Sequence, residues 1–255
     1  MKIRFEKMKP DVQIFPDIES LNQVAAEKFI RFGNEAIKEK NRFAVSLSGG
    51  STPKALYKLL SGEKYRNEID WNKVFFFFGD ERNVSPDDEQ SNYRMANENF
   101  FIPLLIFDEN IFRWQTELQN AELIAEKYEH SIKAFFNLLE NERPRFDLIL
   151  LGMGDDGHTA SLFPYTKALN ETQKIAAANH VEKLATTRLT LTFPALNNAA
   201  NIIFLVAGED KAETLRIVLE SASQPEKYPA QNIKPVNGKL FWLTDAQAAG
   251  KLTAF

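Results

Sequence analysis

Four short apolar runs in this chain each stop abruptly at glycine and charge: "RFAVSLSGGS" (42–51), "KVFFFFGDER" (73–82), "FDLILLGMGDDGH" (146–158) and "NIIFLVAGEDK" (201–211). No other feature limits the fold as much. A strand with one wet face alternates apolar and polar residues. These runs do not alternate, so they predict strands buried on both faces, as in a parallel sheet. "KLFWLTD" (239–245) is a fifth candidate. Helical patterns lie between them. Residues 20–39 place Leu21, Val24, Ala25, Lys28, Phe29 and Phe32 at near-helical spacing, and residues 53–60 begin with Pro53, which a first turn accepts. Residues 120–140 and 210–221 read as two further amphipathic helices.

Strands alternating with helices predict an α/β fold in a chain long enough for one large domain or two small ones. Its sheet is mostly parallel, with helices on both faces and right-handed crossovers. "KIAAANHV" and "TRLTLTF" read as additional strands, and "KIRFEKMKPDVQIFPD" as a hairpin or edge strands. The 21 phenylalanines predict an aromatic-rich core. In such sheets ligands bind beyond the carboxyl ends of the strands. Here those ends carry SGGS, GDER, GMGDDGH and GEDK, four polar loops that should converge on one edge.

Gly152, Gly154 and Gly157 spell G-x-G-x-x-G after an apolar run. The dinucleotide fingerprint needs a helix directly after the glycines, whose N-terminus meets the pyrophosphate. Pro164 follows only seven residues after Gly157, and Asp155 and Asp156 would repel that pyrophosphate. The next strand candidate, "KIAAANHV", ends without an acid for a ribose. A nicotinamide enzyme is therefore disfavoured. Two readings of "DDGH" remain. Asp156 and His158 form a carboxylate–imidazole pair for general base chemistry, or the acids cap turn amides and His158 is merely exposed. His130 and His180 read as structural or solvent-facing.

"SLSGGSTPKAL" (46–56) leads from a strand through Ser48, Gly49, Gly50, Ser51 and Thr52 into a helix opened by Pro53. Glycine amides and a helix N-terminus favour an anion, with Thr52 as candidate N-cap. Walker spacing is absent, so the loop suits a single phosphate. An ordinary glycine-rich turn is the plainer reading. Arg82, Arg188 and Lys211 are candidate cations near strand ends; each alone is an ordinary surface charge.

Bulk properties exclude other classes. A net charge of −4 argues against a nucleic-acid surface. With no cysteine and three scattered histidines, neither a thiolate nucleophile nor a metal site is expected. No signal-peptide core or membrane span is evident, and a cytoplasmic location is expected.

Taken together, "SLSGGSTPKALYKLL", "FFFGDERNVSPDDEQSNYRMA", "DLILLGMGDDGHTASLFP", "RLTLTFPALNNA", "FLVAGEDKAETL" and "YPAQNIKPVNGKLFWLTDAQAA" resemble the 6-phosphogluconolactonase family over nearly the whole chain. The resemblance implies a single domain over residues 1–255, a Rossmann-like open sandwich of the glucosamine-6-phosphate deaminase type with a few extra edge strands. It implies hydrolysis of 6-phospho-D-glucono-1,5-lactone, the second step of the oxidative pentose phosphate pathway, with no cofactor and no metal. By resemblance His158 activates water. Ser48 to Thr52 hold the phosphate with Arg188 and Lys211, and Asp80, Arg82 and Asp156 line or support the site. The implied partner is this small sugar-phosphate lactone, with no nucleic acid and no membrane, and a monomer is expected. The alternative is a glucosamine-6-phosphate deaminase or other sugar-phosphate isomerase. Deaminases typically carry I-A-F-N-E-P after the D-G-H, whereas Phe163 stands here in place of the acid.

Overall fold

The computed structural model describes residues 11–255. In chain order the elements that matter are β1 (Asp11–Phe15), α1 (Ile18–Lys40), β2 (Phe43–Leu47), α2 (Ser51–Ser61), β3 (Val74–Phe78), β4 (Asp80–Arg82), α3 (Asn92–Ala96), β5 (Leu148–Leu151), β6 (Ala176–Val181), β7 (Thr186–Leu191), β8 (Asn201–Val206) and β9 (Lys239–Asp245). Helices Ala121–Phe136 and Ala212–Glu220 complete the frame. Six parallel strands form the main sheet in the order β1-β9-β8-β5-β2-β3.

The phenylalanine run of β3 shows why these strands need cover on both faces. Successive side chains of a strand point to opposite faces. Phe75 and Phe77 meet Phe135, at 5.0 and 5.1 Å between ring centroids. Phe76 and Phe78 meet Phe101 on the other face, at 5.0 and 6.2 Å. Such aromatic pairs add about 0.5–1.5 kcal/mol each beyond simple burial. α1 covers β2 in the same way: Leu21, Ala25, Phe29, Phe32 and Ala36 form its buried stripe, and Phe29 stands edge-on to Phe43 at 5.3 Å. Asp17 caps its start by accepting from the Ser20 amide, and Asn41, in the left-handed region, ends it.

Three expectations need correction, and a fourth, the edge strand near the start of the chain, holds for the described residues. The apolar run 73–82 is not one strand and a loop. The strand stops at Phe78, and Asp80–Arg82 pairs antiparallel with β7, which in turn pairs with β6. The extra strands β4, β7 and β6 thus form a separate three-stranded sheet; only β1 is an added edge of the main sheet. The helix expected over 120–140 ends at Phe136, because Asn137 turns left-handed with φ 51°. Of the hairpin or edge strands expected over 2–17, residues 11–15 form β1, parallel to β9, and residues 2–10 lie outside the described residues. Among the described residues no helix is long and apolar enough to cross a membrane.

From β2 the chain first steps outward to β3, then returns to β5 on the opposite side of β2 and continues to β8 and β9. The direction of winding reverses between β2 and β5. A crevice opens at such a reversal, because the loops leaving the two strands diverge to opposite faces. It is at this point, beyond Leu47 and Leu151, that the glycine-rich turns lie.

Candidate active site

β2 delivers Ser48, Gly49 and Gly50 to the crevice. The buried Tyr57 hydroxyl pins Ser48, accepting from its amide at 3.0 Å and donating to its carbonyl at 2.8 Å. Gly50 has φ 105°, a region closed to most side chains, and serves as the N-cap of α2 without a side-chain hydrogen bond. The sequence expectation of a Thr52 N-cap is therefore wrong: Thr52 lies inside the first turn, buried. The consequence favours anion binding. The amides of Ser51 and Thr52 have no intrahelical partner, and Pro53 has no amide to satisfy.

β5 delivers the G-M-G-D-D-G-H turn. No helix follows its glycines; residues 152–166 are turns closed by an isolated bridge between Thr159 and Leu162. The fold thus departs from the dinucleotide fingerprint. Asp156 Oδ1 lies 2.6 Å from His158 Nδ1 and also accepts the His158 amide at 3.1 Å. Phe163 stacks on the imidazole, with centroids 4.0 Å apart and planes 21° from parallel. A Cβ on Gly154 would sit 2.1 Å from Nδ1, so only glycine leaves room for the ring. Burial raises the Asp156 carboxyl pKa. The hydrogen bonds and charge of His158 and the Lys183 ammonium at 3.5 Å outweigh it and hold the group well below the usual carboxylate range. An ionised Asp156 keeps the proton on Nδ1, which leaves Nε2 as the basic nitrogen. The side chain of His158 is 26% exposed, so water reaches it.

The small sheet delivers the charges. Arg82 and Arg188 are directly opposed in the β4–β7 register. Opposed residues of an antiparallel pair project to the same face with Cβ atoms about 5 Å apart, and like charges there repel. Among the described residues neither guanidinium has a carboxylate within ion-pair distance. Burial, and then the charge of Arg82, lower the pKa of Arg188. Two guanidiniums side by side without a direct ion pair can bind an anion, although Asp80 and Glu81 act on Arg188 at longer range. Between Asp80 and Arg82, Glu81 turns inward. Its buried carboxylate accepts from the amides of Arg82, Asn92 and Tyr93 at 2.7–2.8 Å and fixes the start of α3. Burial pushes its pKa up to about 7 against those amides.

Ser48, Gly49, Gly50, Asp80, Arg82 and His158 line one cavity of about 200 Å³, with Asn92, Gly152–Gly154 and Ala160. Arg188 faces Arg82, and Asp156 stands behind His158. Ser51 and Thr52 contribute the first turn of α2 and do not line the cavity. Lys211, in the turn after β8, is ion-paired with Asp210 at 2.8 Å and is also absent from the lining. A larger cleft of about 1030 Å³ lies across the Asp155–Asp156 turn, edged by Phe163, Lys183 and Tyr228. It lacks His158, Arg82 and the Ser48–Gly50 and Gly152–Gly154 turns, all of which line the smaller cavity. Sequence reasoning missed Tyr57, Glu81, Asn92 and Ser161. Asn92 and Ser161 fell inside recognised motifs, but nothing local to them signals a role, because their partners are far away in sequence.

Comparison with known proteins identifies the family of the chain. Residues 16–242 match the profile of the family described as "Glucosamine-6-phosphate isomerases/6-phosphogluconolactonase". A 6-phosphogluconolactonase of Nostoc sp. is 39% identical over 246 residues, which are 96% of this chain and 100% of the relative. One of Synechocystis sp. is 41% identical, over 86% of this chain and 88% of its own. Among solved structures, 6-phosphogluconolactonase from Trypanosoma cruzi superposes with a TM-score of 0.87 at 27% identity, covering 98% of this chain and 99% of the other. That of Thermotoga maritima gives 0.79 at 30% identity, covering 93% and 100%.

Proposed function

This chain belongs to the family of glucosamine-6-phosphate isomerases and 6-phosphogluconolactonases, and we propose that within it the protein hydrolyses 6-phospho-D-glucono-1,5-lactone to 6-phospho-D-gluconate. The carrying observation is the shared cavity: the Asp156-held imidazole of His158 opens on the same 200 Å³ space as the Ser48–Gly50 turn and Arg82. Imidazole and anion site are thus close enough for one small sugar phosphate to touch both. Phe163 stacked on His158, where a deaminase would carry its acid, counts against ring-opening and deamination.

In this reading the phosphate binds the 48–52 turn and the guanidiniums of Arg82 and Arg188. Lys211 joins them only by giving up Asp210. Phosphate binding fixes the orientation of the distant carbonyl. Nε2 of His158 takes a proton from water while the water oxygen attacks the lactone carbonyl carbon. Backbone amides of the Gly152–Gly154 turn hold the oxyanion. The carbon–ring-oxygen bond then breaks, the imidazolium returns its proton to that oxygen, and the product acid ionises. A lactone is an activated ester, so no covalent nucleophile is required.

The test is acid release from freshly generated lactone, followed by pH-stat, with His158→Ala alongside. General base catalysis contributes about 10²–10⁴-fold, so that variant should lose turnover by this factor while still binding product. Wild-type kcat in His158→Ala would remove His158 from its role. Ammonia release from glucosamine 6-phosphate, without acid release from lactone, would replace the lactonase reading by the deaminase one.

A further inference from the structure

Ser161 has no part in the reaction as written, yet its polar atoms reach all three strands of the small sheet. It is buried, 2% exposed. Its hydroxyl donates to Asp80 Oδ2 at 2.7 Å, on β4. Its amide donates to Thr190 Oγ1 at 3.2 Å, on β7. Its carbonyl accepts from Asn179 Nδ2 at 2.9 Å, on β6. Three residues earlier in the chain stands His158, and the residue between its turn and Ser161, Ala160, lines the cavity with φ 47°. A non-glycine residue persists in that left-handed region only where neighbouring contacts hold it.

The contact with Asp80 bears on the anion site. Asp80 and Arg82 are two apart on β4 and therefore project to the same face. A carboxylate and a guanidinium so placed are natural partners, and their pairing would cancel the charge that an incoming phosphate needs. They do not pair: no Asp80 ion pair occurs among the described residues. Asp80 Oδ2 is instead held by Ser161, and Oδ1 lies 3.5 Å from Asn92 Nδ2. Arg82 is drawn the other way, donating through Nη1 to the Gln90 carbonyl.

We infer that Ser161 is a positioning residue that holds the Asp80 carboxylate off Arg82, keeping the guanidinium pair of Arg82 and Arg188 open for the substrate phosphate. The inference rests on the lactonase reading above for the identity of that anion, but not for the competition itself. Without the Ser161 hydroxyl, Asp80 swings onto Arg82 and the phosphate must displace it.

The experiment is a double-mutant cycle of Ser161→Ala with Asp80→Asn, read by lactone kinetics and by titration with inorganic phosphate. Ser161→Ala should raise KM and weaken phosphate binding, each on the order of tenfold, the scale of one charge-assisted contact, while kcat changes much less. In the Asp80→Asn background, where no carboxylate competes, the same substitution should leave KM and phosphate affinity unmoved. Ser161→Cys, close in size and a weak donor, should fall between. A purely structural Ser161 would instead lower Tm and give the same fold-loss in both backgrounds. That additivity, or wild-type KM and phosphate affinity in Ser161→Ala, overturns the inference. Absence of lactone turnover in the wild type would sink the functional reading, and the phosphate titration would still decide the role of Ser161.

Discussion

Replacing Gly154 by alanine tests whether the His158 imidazole is placed by the close approach of the backbone. Gly154 does not occupy the left-handed region, so its backbone accepts alanine. Only the new Cβ matters. It would lie 2.1 Å from His158 Nδ1, 2.2 Å from Cε1 and 2.9 Å from Asp156 Oδ1, where ordinary contact begins at 3.4 Å. The ring must retreat by more than 1 Å. That breaks the 2.6 Å bond to Asp156 and unseats the stack on Phe163. A hydrogen bond to a charged group contributes about 1.5–3 kcal/mol and an aromatic stack about 0.5–1.5 kcal/mol. The expected loss of stability is therefore about 2–4 kcal/mol, or a Tm lower by roughly 5–15 °C in a chain of this size.

Turnover should suffer more than binding, because a misplacement of about 1 Å in a reacting group costs on the order of 10²-fold while the anion site is untouched. The assay is steady-state lactone hydrolysis with calorimetric binding of 6-phosphogluconate, repeated in a His158→Ala background. There the colliding ring is gone, so Gly154→Ala should add little to the loss in either Tm or kcat. Wild-type kcat and Tm in Gly154→Ala, or an undiminished second loss in the His158→Ala background, would refute the placement of the ring against this glycine.

If the phosphate binds as proposed, Arg188→Ala should raise KM by on the order of tenfold or more through loss of a charge-assisted contact; Lys211→Ala, whose ammonium is already satisfied by Asp210, should change KM several-fold less, and the reverse ranking would move the phosphate site toward β8. Glu81 makes stability depend on pH with an unusual sign: its folded-state pKa is raised from 4.5 to about 7, so the folded state binds the proton more tightly, and the stability this supplies is full below about pH 4.5 and lost as pH rises through about 7. Urea unfolding of wild type and Glu81→Gln across that range should show a difference that changes by about 3 kcal/mol, and a pH-independent difference would contradict it.

How much of this was legible in the sequence follows from which forces are local. β2, β3, β5, β8 and β9 were visible because burial on both faces leaves unbroken apolar runs. The reversal of winding between β2 and β5, which opens the site, has no local trace at all. The division into two sheets was likewise hidden, since "KVFFFFGDER" reads as one strand and a loop until β7 arrives to pair with Asp80–Arg82. Among site residues, Ser48, Gly49, Gly50 and His158 stood out because glycine-rich turns and imidazoles announce their chemistry. The convergence of Arg82 with Arg188 depended on a strand register 106 positions apart in the chain, and the clamp of Ser161 on Asp80 on contacts of the same range. The Thr52 cap failed for a local reason: a glycine in the left-handed region let the helix begin one residue before it could act.

The opposed arginines are the place where the fold acts against its own stability. A cross-strand pair of like charges costs roughly as much as a favourable pair gains, up to about 1 kcal/mol, and β7 adds partial burial of one of them. A sequence optimised for stability alone would place a carboxylate opposite Arg82, or let Asp80 two residues away neutralise it. Neither occurs: the register offers Arg188, and Asp80 is bonded to Ser161. Residues that break a local rule without compensation inside the molecule point to compensation from outside it. In the proposed reading the anion that supplies it sits against the small sheet, while His158, which activates the water, is carried by a turn that follows β5 of the main sheet. On that reading the reaction centre spans the junction of the two sheets, and His158 and the guanidinium pair hold their mutual distance only while the turn that follows His158 stays docked on β4, β7 and β6.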